Sequence, residues 1–192
     1  MIRPLYNWTM SLAASKHAMW ALAAVSFIES SFFPIPPDVL MIPMIIAAPT
    51  KAWRIAAVCT IASVLGAMLG YFIGFGLFET IGQPILDFYG KADDFAAFSV
   101  RYNEMGIWAV LFAGVTPFPF KVITIASGVT AMPVIPFILS AIVARALRFF
   151  LIATLLYYFG APIRDFIEKY LGLVFTVFCV LLIGGFFLVK YL

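Results

Sequence analysis

Five ionisable side chains, Glu29, Asp38, Lys121, Arg145 and Arg148, stand in stretches of sequence that are otherwise apolar. At the centre of a membrane helix each costs roughly 2.5–3.5 kcal/mol on insertion scales, so such residues line a cavity or pair with one another. That makes them functional candidates. Arg145 and Arg148 are three residues apart and share a helix face, and their guanidinium forks suit bidentate binding of phosphate oxygens. Glu29 lies about one and a half turns ahead of Pro34. Asp38 follows the prolines and suits a helix N-terminus, as a cap or near the positive end of the dipole. Lys121 opposes that dipole at the start of a helix, so capping does not explain it. Pairing with Asp38 or Glu29 would, as would an anion site made with the N–H groups of a broken helix. Each residue also has a structural alternative: Glu29 accepting N–H groups that the prolines strand, Asp38 as a simple cap, and the three cations in ion pairs that only hold the fold.

Other chemistries are poorly supplied. His17 sits beside Lys16 at a predicted interface and reads as a surface residue. Cys59 and Cys179 lie in apolar segments without a C-x-x-C pair and read as packing residues. No metal set, Walker motif, G-x-S-x-G or H-E-x-x-H occurs, and Ser30-Ser31 has no histidine base in reach. The expectation is a protein that is not an enzyme and uses neither cofactor nor metal; phosphatase action would lack a nucleophile. The net charge of +3 is too small and dispersed for nucleic acid.

The elements that must position these charges belong to a membrane. With 65% hydrophobic and 11% charged residues and a mean hydropathy of +1.09, the chain is far below the about 25% charge of soluble domains. The expectation is an all-α polytopic membrane protein of one domain, 1–192, with no cleaved signal peptide. Residues 1–17 read as an interfacial segment, 18–78 as a first repeat, 79–104 as a polar linker, 105–160 as a second repeat and 171–189 as a C-terminal transmembrane helix. In the first repeat an apolar arm, 18–33, meets Pro34, Pro36 and Pro37, and a return arm over 39–48 is too short to span. A full span over 55–78 follows, with Gly66, Gly70 and Gly74 at every fourth position, which lets another backbone approach closely. The linker sets five carboxylates against two cations. The second repeat has an arm over 106–116, a break at Pro117 and Pro119, a short return over 122–131 and a span over 135–159.

Pro34-x-Pro36-x-Asp38 overlays Pro117-x-Pro119-x-Lys121, with the same order of elements around each break, which predicts an internal repeat. Arg3, Lys16, Lys51 and Arg54 flank the first hairpin and the linker is acidic, so the positive-inside rule puts the hairpin's ends in the cytoplasm and the linker outside. The second hairpin would then enter from outside, and the C-terminus would end outside. That is an inverted-topology repeat of two re-entrant helical hairpins meeting near the midplane, with Asp38 and Lys121 expected to face each other.

These residues resemble a known family. F-x-E-(x)4-P-x-P-P-D (Phe27 to Asp38), the span ending Gly70-Tyr71-Phe72-Ile73-Gly74, G-x-T-P-x-P-x-K (Gly114 to Lys121) ahead of Ala126-Ser127-Gly128, and A-R-x-x-R-F (Ala144 to Phe149) are similar to the DedA family, also called SNARE-associated or VTT-domain proteins, and most similar to its YqaA branch. The similarity covers roughly residues 18–160. It implies two inverted re-entrant hairpins in a bacterial inner membrane. It also implies a role in moving lipids or lipid-linked phosphates between leaflets, linked to the proton-motive force and envelope integrity. By position Glu29 and Asp38 match the family's acidic residues, the latter as P-P-D where many members show P-G-E, and Arg145 and Arg148 fall where functional arginines are expected. The chain departs at the second break, where many members carry arginines and Lys121 supplies the sole cation here.

The resulting expectation is a translocator of a phosphate-bearing lipid, undecaprenyl phosphate or a phospholipid, held by Arg145, Arg148 and Lys121. Glu29 and Asp38 compete for the same cations and couple to protons. A proton-coupled solute or ion transporter, or an assembly protein whose buried charges only specify the fold, are the alternatives. Membrane lipids are the expected partners, and the sequence leaves a homo-oligomer open.

Overall fold

The computed structural model describes residues 17–32, 36–90, 92–116, 118–160 and 162. The expected interfacial helix, Pro34, Pro117, Cys179 and the 171–189 span lie outside them. The described residues are all-helical: α1 (Ala18–Ser31), α2 (Asp38–Ala47), a 3-10 turn (Pro49–Lys51), α3 (Ala52–Leu77), a π turn (Phe78–Gly82), α4 (Gln83–Phe88), α5 (Ala92–Val115), α6 (Phe120–Val129) and α7 (Val134–Gly160). Pro49–Phe88, which contains α3, and α7 are each long and apolar enough to cross a membrane.

Proline sets the breaks. A proline offers no N–H and cannot continue a helix, yet its fixed φ suits the first positions of a new one. Pro37 is the N-cap of α2 (φ −64°) and Pro119 that of α6 (φ −62°). Both return helices are 10 residues long and each precedes a long apolar helix, so the order arm, break, short arm, long helix recurs as the sequence suggests. The two arms differ: α1 has 14 residues and α5 has 24. Much of the polar stretch 79–104 is helical, because Asp93 and Asp94 fall in the first turn of α5, where the positive end of the dipole favours carboxylates.

The glycine face of α3 is where the two halves join. A Cβ on Gly66 would collide with the carbonyl of Phe27 in α1, and one on Gly74 with the carbonyl of Ile125 in α6. At Gly70, between them, a Cβ would collide with Thr124 of α6 and press on the Ser30 carbonyl of α1. There Thr124 Oγ1 donates to the Ser30 carbonyl at 3.1 Å, tying α6 to α1. Gly128 completes the seam from the α6 side, against the backbone of Tyr71, whose hydroxyl donates to the Met132 carbonyl at 2.6 Å. In a membrane such close packing and interhelical hydrogen bonds replace the hydrophobic drive of soluble proteins.

On α7 two faces separate cleanly. Ile135, Leu139, Val143, Leu147, Leu151 and Leu155 are exposed, while Phe137, Ala141, Ala144, Arg145, Phe149 and Ala153 are buried. An outward stripe of large apolar side chains with a guanidinium on the inner face inverts the pattern of a water-soluble helix and suits lipid outside. Arg145 is thereby aimed at the seam.

Gly66→Leu or Gly74→Leu should lower stability in detergent by at least about 1–3 kcal/mol, since backbone on the opposing helix has nowhere to move. Gly76→Ala, where a Cβ meets open space, should leave the melting temperature unchanged or higher. Thermal unfolding followed by size-exclusion monodispersity checks this.

Candidate functional site

The four charges that bracket the first break and the middle of α7 form two ion pairs. Glu29, in the last turns of α1, meets Arg145: Nη2 donates to Oε2 at 2.8 Å. A second nitrogen of this guanidinium is engaged as well. Arg145 Nε donates to Ser63 Oγ of α3 at 2.5 Å, and Ser63 shares a 2.6 Å hydrogen bond with Ser30 of α1. Ser30 Oγ also donates to Glu29 Oε2 at 3.0 Å. Phe120 of α6 and Phe149 of α7 each place a ring centroid 4.7 Å from the Arg145 Cζ, within the range of attraction between a cation and an aromatic face. Arg145 is 2% exposed. It is a pin through α1, α3, α6 and α7.

Arg148, one turn on, reaches the breaks themselves. Its Nη2 donates to Asp38 Oδ2 at 2.6 Å, at the first residue of α2, and its Nη1 donates to the Thr116 carbonyl at 2.7 Å, just after α5. One guanidinium therefore holds both breaks. Each side chain of this pair is 19% exposed, against 3% for Arg145 and 13% for Glu29, so this is the more open of the two.

Several expectations change. Asp38 does not face Lys121 as a partner; its partner is Arg148, because α7 is the helix that brings a cation to the α2 N-terminus, which the echo between the two breaks does not encode. Nor does Asp38 act as a side-chain cap, since α2 is capped by Pro37 without a side-chain bond. Glu29 accepts from Arg145 and Ser30 rather than from stranded backbone N–H groups. Lys121 lies half-buried in the first turn of α6, and its ammonium has no ion pair or hydrogen bond among the described residues. Pro36 and Pro37 lead into α2 and Pro119 into α6. His17 is exposed and Cys59 is fully buried, as expected of surface and packing residues.

Sequence reasoning missed Ser63, Ser30, Phe120, Phe149 and the Thr116 carbonyl. Ser63 carried a signal: it is three residues before Gly66 and so lies on the glycine face of α3. Phe120 and Phe149 carried none, since 21 phenylalanines leave a pair around one arginine indistinct.

Among the described residues no three His, Cys, Asp or Glu side chains gather as a metal set. One hollow of about 480 Å³ lies between the end of α3, α4 and α5, walled by Phe75, Phe78 and Phe95 with Glu79 and Asp87 at its edge. A second, of about 350 Å³, lies between α5 and α7. None of the five charges lines either one.

The whole constellation from the first break to α7 falls in one recognisable domain: residues 35–158 match the VTT domain. The chain belongs to the VTT-domain, or DedA, family. Two relatives of this VTT-domain protein extend the match over most of its length. An uncharacterized protein of Haemophilus influenzae is 36% identical over 186 residues, 97% of this chain and 96% of its own length. An uncharacterized protein of Histophilus somni is 37% identical over 168 residues, 85% of this chain and 87% of its own. No solved structure matches the chain. VTT-domain proteins are membrane proteins associated with transport or lipid-related roles, and of the five charges in this one only Glu29 precedes the matched segment.

Arg145→Met should strand Glu29 in an apolar seam and cost roughly 3–5 kcal/mol, the usual penalty for breaking a buried pair from one side. Arg145→Met combined with Glu29→Gln should recover much of that loss, and a double-mutant cycle of unfolding midpoints in detergent measures the difference.

Proposed function

We propose that this VTT-domain membrane protein moves a phosphate-bearing lipid, undecaprenyl phosphate or a phospholipid, between the leaflets of a bacterial inner membrane. The observation that carries this reading is the Arg148 guanidinium bonded to Asp38 at one break and to the Thr116 carbonyl at the other. A cation held by two interrupted helices in an apolar bundle is where an anionic head group would be received during passage.

On this reading α1–α2 and α5–α6 are re-entrant hairpins entering from opposite faces, with α3 and α7 as the flanking spans. Arg148 and Lys121 receive the phosphate, and Arg145 contributes once Glu29 is protonated. Asp38 is an internal substitute for the phosphate: it neutralises Arg148 until a head group arrives. Protonation of Asp38 releases the guanidinium, which gives the cycle its dependence on the proton-motive force. Arginine suits this exchange because its fork can pass from carboxylate to phosphate without changing geometry.

Purified protein in liposomes should accelerate the transfer of labelled undecaprenyl phosphate or phospholipid between leaflets, and Arg148→Ala should abolish it while keeping a monodisperse fold. Arg148→Lys should retain partial activity. Unchanged transfer by Arg148→Ala would remove the assignment. Substrate-dependent proton flux in the absence of any lipid movement would favour a solute transporter instead.

A further inference from the structure

The Asp38–Arg148 contact uses half of each group. A carboxylate and a guanidinium commonly meet through two parallel N–H···O bonds. Here only Nη2 and Oδ2 are joined. Arg148 Nε, on the same edge as Nη2, and Asp38 Oδ1 are both buried without a hydrogen-bond partner among the described residues. Thr116 Oγ1 is in the same condition, on the residue whose carbonyl Arg148 already grips. Three of the five such side-chain atoms among the described residues thus belong to Arg148 and the two residues it bonds. Leaving a buried polar atom unpaired costs about 1–3 kcal/mol, so three together mark a place built for a ligand.

Charge narrows the ligand. Glu29 cancels Arg145 and Asp38 cancels Arg148, while Lys121 adds one positive charge with no partner among the described residues. In apolar surroundings that balance favours a ligand carrying one negative charge. The unpaired atoms narrow it further, since Nε–H donates, Oδ1 accepts, and the threonine hydroxyl does either.

We infer that Arg148 Nε, Thr116 Oγ1 and Asp38 Oδ1 form one binding edge for a phosphomonoester head group in its singly protonated form. One phosphate oxygen accepts from Arg148 Nε and the Thr116 hydroxyl, and the P–OH donates to Asp38 Oδ1. A phosphodiester carries the same single charge but has no P–OH, so it leaves Oδ1 unsatisfied. The inference rests on the lipid reading above and deepens it: Thr116 becomes a binding residue, and Arg145, buried and paired with Glu29, becomes a positioning one. The charged or titratable groups that interact with the Asp38–Arg148 pair, directly or through Arg145, are Glu29 on α1, Cys59 on α3 and Arg145 on α7, and Lys121 stands in the first turn of α6.

The test is binding of two matched probes, dodecyl phosphate and dodecyl methyl phosphate, to the full chain in phosphatidylcholine nanodiscs, with empty nanodiscs as the blank. Dodecyl phosphate should bind roughly tenfold tighter than its methyl ester at about pH 5.5, and the gap should close by about pH 8 as the second ionisation, near 6, removes the P–OH. Thr116→Val, which keeps the backbone carbonyl, should weaken dodecyl phosphate several-fold, and Thr116→Ser should restore it. Asp38→Asn, which can place an amide donor at that position, should shift preference toward the methyl ester, whatever becomes of the Thr116 variants. Displacement by inorganic phosphate would assign the edge to free phosphate, and resistance to it would assign a lipid. Equal affinity for both probes at both pH values, or a Thr116→Val protein that binds dodecyl phosphate like the parent, overturns the inference. Leaflet transfer is read on the same samples: probe discrimination without transfer sinks the translocation reading alone, and transfer without discrimination sinks this one alone.

Discussion

The structure depends on how an apolar bundle accommodates two guanidinium groups three residues apart on one helix. An unpaired arginine in these surroundings is too costly to keep, so every element near α7 is arranged to supply an oxygen or an aromatic face. For Arg145 these are Glu29, Ser63 and Ser30, with the rings of Phe120 and Phe149 beside it. For Arg148 they are Asp38 and the Thr116 carbonyl. The helix breaks are part of this solution, because a helix that stops exposes carbonyl oxygens which an unbroken helix would keep for itself. The carbonyl of Thr116 is such an oxygen.

Close approach of backbones makes the pairing geometrically possible. The small face of α3 lets α1 settle at Gly66 and α6 at Gly74 without intervening side chains. Ser30 and Ser63 are then near enough to share a hydrogen bond, and Arg145 can reach both. Bulkier residues in that face would separate the arms and leave the guanidinium short of its partners. Packing and electrostatics are one constraint here, with the glycine seam upstream of the ion pairs.

The two arginines nonetheless end in different states. Arg145 is enclosed, which suits a pin that fixes the relation of four helices. Arg148 is more open, and its Nε is buried without a partner among the described residues. Each guanidinium has a carboxylate beside it, which avoids burying a bare charge.

The sequence by itself determined the class of protein, the places where the helices break and the identity of the charged residues, because hydropathy, proline and glycine act locally; it did not give the bounds of α5, which takes in much of the polar stretch. Prolines at 36, 37 and 119 stand where helices start, although Pro43 is carried within α2, and glycines at every fourth position mark a face for close approach. Five charges in apolar stretches are costly in any arrangement. Only the tertiary structure decided who pairs with whom. The echo between Asp38 and Lys121 suggested that they meet, yet Asp38 bonds Arg148, because pairing follows which helix crosses which terminus. Thr116 was out of reach and Ser63 was marked only by its place on the glycine face: a serine and a carbonyl acquire their roles only when α7 delivers a guanidinium to them, over 82 and 32 residues of chain.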